Sequence, residues 1–166
     1  MKKNMKKALT GAALTGAMLA ALGMTGSAEE EKKFTIGFSD FSLSAEYQAK
    51  LRDKIVEYAK EKYGDQLDFV ILDGESDSDT QNTGIDNLIN QNVDLIIMVP
   101  FDAQQQIPAV EAAVEAGIPL LEVCLQTADD DLRTCFVGSD DTTSGILEMQ
   151  YLAEQMGEAG NVVYLH

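Results

Sequence analysis

From Phe34 onward, short apolar runs alternate with longer segments in which apolar residues recur every three or four positions. The short runs predict β-strands at 34–38, 67–72, 93–99, 118–123, 135–138 and 162–165. Strands that alternate with helices form βαβ units, whose strands are parallel. The run Leu95–Val99 is apolar at every position, as expected of a parallel strand covered on both faces. The sequence therefore predicts an α/β fold with a doubly wound parallel sheet.

The segments between the strands have the periodicity of amphipathic helices. The first is predicted from Leu43 to about Lys62, with an inward face that comprises Leu43, Tyr47, Leu51, Ile55 and Ala59. The second begins at Ser78 and Gln81, which have the spacing of a capping box. The last helix is predicted from Thr143 to Met156, with Met149 and Leu152 directed inward.

Residues 1–28 have the pattern of a cleaved secretory signal peptide. A lysine-rich start is followed by an uncharged stretch from Ala8 to Met24 and by small residues that end at Ala28, the predicted cleavage point. A membrane anchor is the alternative, but the uncharged stretch is short for a span and contains Thr and Gly. No cysteine for lipid attachment lies near Ala28, so we expect a periplasmic protein without a lipid anchor.

Charge and motifs argue against several classes of protein. The chain has 28 Asp+Glu against 12 Lys+Arg, which disfavours nucleic-acid binding because phosphate contacts require basic residues. The sequence contains no glycine-rich dinucleotide or phosphate loop and no GxSxG motif, and its single histidine is His166. We therefore predict a protein without a cofactor that is not an enzyme.

Acidic residues cluster at 73–79, 129–131 and 140–141. Their spacing does not match a calcium-binding loop, and carboxylates are common at helix starts, where they offset the helix dipole. We expect these clusters to be solvated caps, and we predict no metal site.

Two cysteines lie at the ends of neighbouring predicted strands. Cys124 ends the fourth strand and Cys135 begins the fifth, so an exported chain could join them by a disulfide across the acidic loop 125–134. Two free thiols are the equally weighted alternative.

Ligands of doubly wound sheets bind beyond the carboxyl ends of the strands, which directs attention to the four loops at 40–46, 73–79, 100–104 and 124–131. Polar and aromatic side chains in these loops suit a sugar or polyol, whose hydroxyls both donate and accept and whose ring has an apolar face. The candidate ligand-binding residues are Ser42, Ser44, Glu46, Tyr47, Phe101, Asp102, Cys124, Gln126 and Asp140. Structural alternatives exist: Ser44 and Asp102 could cap helices, and Tyr47 and Phe101 could pack in the core.

Several strings resemble the periplasmic sugar-binding family that includes ribose-, glucose/galactose- and inositol-binding proteins. They are Thr35-Ile-Gly37, Gln81-Asn82 with Ile85 and Leu88, the string from Ala112 through Ala116-Gly-Ile-Pro119, and Val137-Gly-Ser-Asp140. Glu46 falls where the glucose/galactose type has a sugar-binding Asp. Cys124 and Leu125 replace the Asp-Arg pair of ribose binders, which disfavours ribose as the ligand.

The resemblance implies two type I lobes that close on a monosaccharide. The chain would then comprise the N-terminal sugar-binding lobe, 29–138, followed at 139–166 by the hinge and the start of an incomplete second lobe. The implied partners are the membrane subunits of an ABC importer and a chemoreceptor, and the protein is expected to be a monomer. The alternatives are the ligand-binding lobe of an extracellular sensor and a LacI-type regulator. The regulator is disfavoured because a signal peptide stands where its DNA-binding helices would be.

Overall fold

The apolar runs form one parallel sheet. The computed structural model describes residues 33–157 and 159–163, so the predicted signal peptide lies outside the described residues. The strands are β1 (Phe34–Asp40), β2 (Leu67–Asp73), β3 (Leu95–Val99), β4 (Leu120–Val123) and β5 (Cys135–Val137). The helices are α1 (Glu46–Tyr63), α2 (Ser78–Asn90), α3 (Ile107–Glu115) and α4 (Asp141–Gln155). The strand order is β2-β1-β3-β4-β5 with every pair parallel, so the predicted doubly wound α/β fold is confirmed.

Helices cover both faces of this sheet, because successive residues of its strands place apolar side chains on opposite faces. On one face the sheet contributes Phe38, Ile97 and Val99 to a cluster that packs against Leu51 and Ile55 of α1. On the other face, residues of β3 and β4 pack against α2 and α3 in a cluster of Ile85, Leu88, Ile96, Met98, Val110, Ala113 and Leu120. Phe38 and Leu88 are fully buried, and each such side chain stabilises the fold by about 1.5–3 kcal/mol.

The buried face of α1 differs from the predicted one by one residue. The helix begins at Glu46, and Ala45 at its N-cap position makes no side-chain capping bond, so Ser44 is not its cap. Gln48 is buried and Tyr47 is 64% exposed. Because Gln48, Leu51 and Ile55 have helical spacing, Tyr47 lies off their face. The prediction that Tyr47 packs in the core is therefore wrong.

The predicted capping box of α2 is also wrong. Asp77 is the N-cap residue, and its Oδ1 accepts a hydrogen bond from the Thr80 backbone N–H at 2.8 Å. This bond is the main reason that the pKa of Asp77 is lowered. Ser78 is the first helical residue, and Gln81 is 1% exposed and directed toward the sheet. Asp77 stands one residue before Ser78, and its side chain is among the most favoured N-cap acceptors.

The region after β5 is weakly covered. Helix α4 has no buried residue, and Met149 and Leu152, which were predicted to point inward, are 51% and 40% exposed. Residues 161–163 have no regular secondary structure, so the predicted strand at 162–165 is not formed at Val162 and Val163, and its remainder lies outside the described residues. Among the described helices, none is both long and apolar enough to cross a membrane.

Candidate ligand-binding cleft

A cleft of about 560 Å³ lies at the carboxyl ends of β3, β4 and β5. This volume is within the range of small-molecule sites. Its walls come from the segments that follow the three strands: Pro100, Phe101, Ala103, Cys124, Leu125, Gln126, Phe136, Gly138, Ser139, Asp140, Asp141 and Thr142. The lining combines aromatic rings, neutral hydrogen-bonding groups and carboxylates. It contains no Lys or Arg within the described part of the chain.

Buried glutamines fix the loop after β3, which carries Phe101. Gln81 donates through Nε2 to the Val99 carbonyl at 2.9 Å and accepts at Oε1 from the Phe101 N–H at 2.9 Å. Gln106 is fully buried and accepts from the Asp102 N–H at 2.6 Å. The sequence analysis placed Gln81 in a capping box and assigned no role to Gln106. The available signal was a glutamine at a helical position that the periodicity makes internal.

The loops after β1 and β2 are bonded to each other. The Gly74 N–H donates to the Asp40 carbonyl and the Ser76 N–H donates to the Phe41 carbonyl, both at 2.7 Å. A Cβ on Gly74 would lie 3.0 Å from the Asp40 carbonyl oxygen, so only glycine allows this approach without a shift of the backbone. The loop after β1 lies beside the loop that carries Phe101, and the centres of the Phe41 and Phe101 rings are 6.1 Å apart.

Phe101, Cys124, Gln126 and Asp140 are the predicted ligand-binding residues that line the cleft. Tyr47 is joined to them through Cys124, whose Sγ lies 3.7 Å from the Tyr47 hydroxyl oxygen. The hydrogen bond between these two groups is the main reason that the pKa of Tyr47 is raised. Cys124 has a φ of 69° and so marks a sharp turn where β4 ends.

Asp140 lines the cleft and also begins α4. Its carboxylate accepts from the Thr143 backbone N–H at 3.1 Å and from the Thr143 hydroxyl at 2.6 Å. These bonds lower the pKa of Asp140, so the group is ionised at neutral pH. The expectation that the acidic cluster 140–141 caps a helix is confirmed for Asp140, the N-cap residue of α4.

Other predicted residues do not line this cleft. Ser42 is buried, and its hydroxyl lies 3.0 Å from that of Ser44. Glu46 pairs with Lys50 at 2.6 Å on the exposed face of α1. Asp102 accepts from the backbone N–H groups of Gln104 and Gln105, which lowers its pKa. It therefore closes a turn and is not the N-cap of α3, which is Gln106.

The disulfide alternative is contradicted, because Cys124 and Cys135 are free thiols. The register explains why: Cys135 pairs with Leu121 at the start of β5, whereas Cys124 follows the end of β4. The three-residue offset corresponds to about 10 Å along a strand, more than a disulfide spans. Of the two cysteines, Cys124 lines the cleft and Cys135 does not.

A buried polar group lies between β1 and α1. Asp40 is fully buried, and burial is the main reason that its pKa is raised above 3.8, against an opposing effect of the nearby Arg52 charge. Asp40 Oδ2, Gln48 Oε1 and Arg52 Nη1 are among the five buried side-chain atoms that have no hydrogen-bond partner within the described residues. Sequence reasoning missed this group because it treated Asp40 only as the start of a loop.

The described residues contain no group of three His, Cys, Asp or Glu side chains that could hold a metal ion.

Comparison with known proteins identifies the family. The sequence profile of the periplasmic binding protein domain matches residues 36–166. The chain is 34% identical over 158 residues to a xylitol-binding protein of Mycolicibacterium smegmatis, which covers 95% of this chain and 44% of that protein.

Two solved structures are similar at a TM-score of 0.71. One is an ABC transporter solute binding protein from Bacillus halodurans with bound myo-inositol, 29% identical, with 78% of this chain and 44% of that chain covered. The other is the fructose binding periplasmic domain of a hybrid two component system, 26% identical, with 77% and 41% covered. The chain thus spans less than half the length of each of these relatives. Profile, relatives and fold agree that this chain belongs to the periplasmic binding protein family.

Proposed function

We propose that the intact protein carrying this chain is an exported solute-binding protein that captures an uncharged sugar or polyol. The observation that carries the proposal is the cleft at the carboxyl ends of β3, β4 and β5, in a chain of the periplasmic binding protein family. The relatives named above bind xylitol, myo-inositol and fructose, which belong to this chemical class. None of these names describes an enzyme, in keeping with the predicted absence of catalysis.

The lining of the cleft favours a neutral ligand. Phe101 and Phe136 offer flat apolar surface, while Gln126 supplies a neutral amide and Asp140 a charged acceptor. Without a basic residue in the lining, a phosphate or carboxylate on the ligand would face Asp140 and Asp141 unpaired. Contacts of the ligand with Ser42, Ser44, Glu46, Tyr47 and Asp102 stay predictions.

In the proposed mechanism, two lobes close on the ligand. The first lobe comprises 29–138, and 139–166 form the hinge and the beginning of the second. The exposed apolar side of α4 supports this division, because its Leu147 and Met149 are more than half exposed in this chain. Closure would place the ligand in contact with both lobes, so we expect 1–166 alone to bind much more weakly than the intact protein.

Delivery of the ligand to the membrane subunits of an ABC importer completes the proposal. It requires export, which residues 1–28 are proposed to direct. N-terminal sequencing of the mature protein should begin within a residue or two of Glu29, and an intact Met1 would contradict export. We further propose that the protein is a monomer and that a chemoreceptor is a second partner.

A sensor lobe is the second candidate, favoured by the similarity to the two-component periplasmic domain. The sequence that follows His166 in the gene separates the two candidates. A second lobe that ends the protein supports the importer, whereas a transmembrane helix followed by a signalling domain supports the sensor.

Ligand screening by thermal shift tests the binding class on the intact protein. We expect at least one of xylitol, myo-inositol, fructose and the common aldoses to raise Tm, because a ligand at about 100 Kd stabilises the folded state by about 2.7 kcal/mol. Fructose 6-phosphate is the matched charged control and should have no effect. Stabilisation by the phosphate ester alone, or by none of these compounds, would contradict the proposal.

A further inference from the structure

A buried ion pair closes the loop between β4 and β5, where the disulfide alternative placed a covalent bond. Glu122 of β4 is fully buried, and Arg133 at the far end of the loop has only 9% of its side chain exposed. The Arg133 Nε lies 3.4 Å from Glu122 Oε2. Burial of two charges is costly unless further hydrogen bonds satisfy them.

Every oxygen of the Glu122 carboxylate is engaged. Thr127 donates its hydroxyl to Oε1 at 2.6 Å and its backbone N–H to Oε2 at 3.1 Å. Thr127 itself is 1% exposed. The carboxylate therefore fixes the middle of the loop through Thr127 and the end of the loop through Arg133.

The outer part of the Arg133 guanidinium contacts residues of the cleft wall. Nη2 donates to Gln126 Oε1 at 3.2 Å, and the guanidinium carbon lies 5.5 Å from the centre of the Phe136 ring. Nη1 donates to the Asp129 carbonyl at 3.2 Å, and Nη2 also pairs with Asp130. Gln126 and Phe136 line the cleft, whereas Arg133 does not. Arg133 thus lies directly behind two groups that a ligand would touch.

We propose that Arg133 is a positioning residue for ligand recognition that acts through Gln126 and Phe136. By holding Gln126 Oε1, the guanidinium leaves the amide N–H₂ as the part of Gln126 that a ligand can use. The cleft then has a donor at Gln126 and an acceptor at Asp140. It selects a ligand that accepts a hydrogen bond from Gln126 through a hydroxyl or ring oxygen and donates a hydroxyl hydrogen to Asp140. This inference rests on the proposed binding of a sugar or polyol.

A double-mutant cycle distinguishes positioning from a merely structural role. Arg133→Lys keeps a positive charge opposite Glu122 but lacks the planar fork that reaches Glu122 and Gln126 together. Kd is measured by calorimetry on the intact protein with whichever of xylitol, myo-inositol or fructose binds most tightly. We expect Arg133→Lys and Gln126→Ala each to raise Kd about tenfold, which corresponds to the loss of one good hydrogen bond. The double variant should also be only about tenfold weaker, because both changes remove the same contact. A loss of about a hundredfold in the double variant would show independent effects and overturn the inference.

A second variant leaves the buried pair intact in case Arg133→Lys prevents folding. Gln126→Glu keeps an acceptor for Arg133 but removes the N–H donors, so it should weaken binding at least as much as Gln126→Ala. Lys54→Met removes an exposed cation that pairs with Glu57 on α1, and it should leave Kd unchanged. Wild-type affinity in Gln126→Glu would overturn the inference while leaving the proposed function in place. Failure of the unaltered protein to bind any of these three compounds or the common aldoses would overturn both.

Discussion

Replacement of Gln81 by Leu tests how the loop that carries Phe101 is held. Gln81 is 1% exposed, and its amide bridges α2 to the carboxyl end of β3 through the Val99 carbonyl and the Phe101 N–H. Leucine has a similar volume but no polar atom, so both backbone groups lose their partner. The third contact, to the Ser39 hydroxyl at 3.3 Å, is longer, and that hydroxyl can rotate.

The expected loss of stability follows from these two backbone groups. Each buried group left without a partner costs about 1–3 kcal/mol, and the apolar area that leucine buries offsets part of the sum. We therefore expect Gln81→Leu to lower the free energy of unfolding by about 2–4 kcal/mol. Because Phe101 N–H loses its acceptor, its amide hydrogen should also exchange faster than those of β1.

Urea unfolding of the intact protein, followed by far-UV circular dichroism, measures the change through the shift in midpoint. Gln91→Leu is the matched control at the C-cap of the same helix, since the Gln91 side chain is exposed and its amide donates to the Asn87 carbonyl. We expect the control to change stability by less than about 0.5 kcal/mol. Equal effects of the two substitutions would refute the assignment of Gln81 as the support of this loop.

Further predictions concern a buried charge, a tight turn and the thiols. Asp40 has a pKa raised above 3.8, so its burial lowers stability as pH rises through the folded pKa. Asp40→Asn should therefore be more stable than the wild type at neutral pH and lose that advantage near pH 3, and a constant difference between the two melting curves would contradict this. Gly74→Ala should cost about 1–3 kcal/mol in denaturant unfolding, because its Cβ meets backbone atoms, whereas Gly84→Ala within α2 should stabilise by up to about 1 kcal/mol. Mass spectrometry after alkylation without reductant should find both Cys124 and Cys135 modified, and an unmodified, oxidised pair would restore the disulfide alternative.

The sequence predicted those features of the fold that depend on local periodicity. The run Leu95–Val99 is apolar because both faces of β3 are covered, so burial is encoded residue by residue. Parallel pairing then follows from the alternation of strands and helices, and it predicts a ligand site at the carboxyl ends of the strands, though not which of those ends line the cleft. Boundaries were less certain where neighbouring residues compete, as Asp77 and Ser78 do for the cap of α2.

Contacts between distant polar residues could not be predicted in this way. Glu122 has the sequence position of an ordinary strand residue, and only the folded loop brings Arg133 to it. Gln81 is a helix residue whose partners lie at the end of β3, 18 and 20 positions further along the chain. Hydrophobic periodicity can indicate that such a side chain is internal, but it cannot identify the partner, because the pairing depends on tertiary geometry.

Protection of Cys124 from alkylation tests most directly that the cleft binds the ligand. The chain offers an internal control, since Cys124 lines the cleft and the exposed Cys135 does not. With ligand at about 100 Kd, and if only the free protein reacts, Cys124 in the intact protein should be alkylated at roughly one hundredth of its ligand-free rate. The rate at Cys135 should not change. Equal rates at Cys124 with and without a ligand that calorimetry shows to be bound would place the binding site elsewhere and contradict the account.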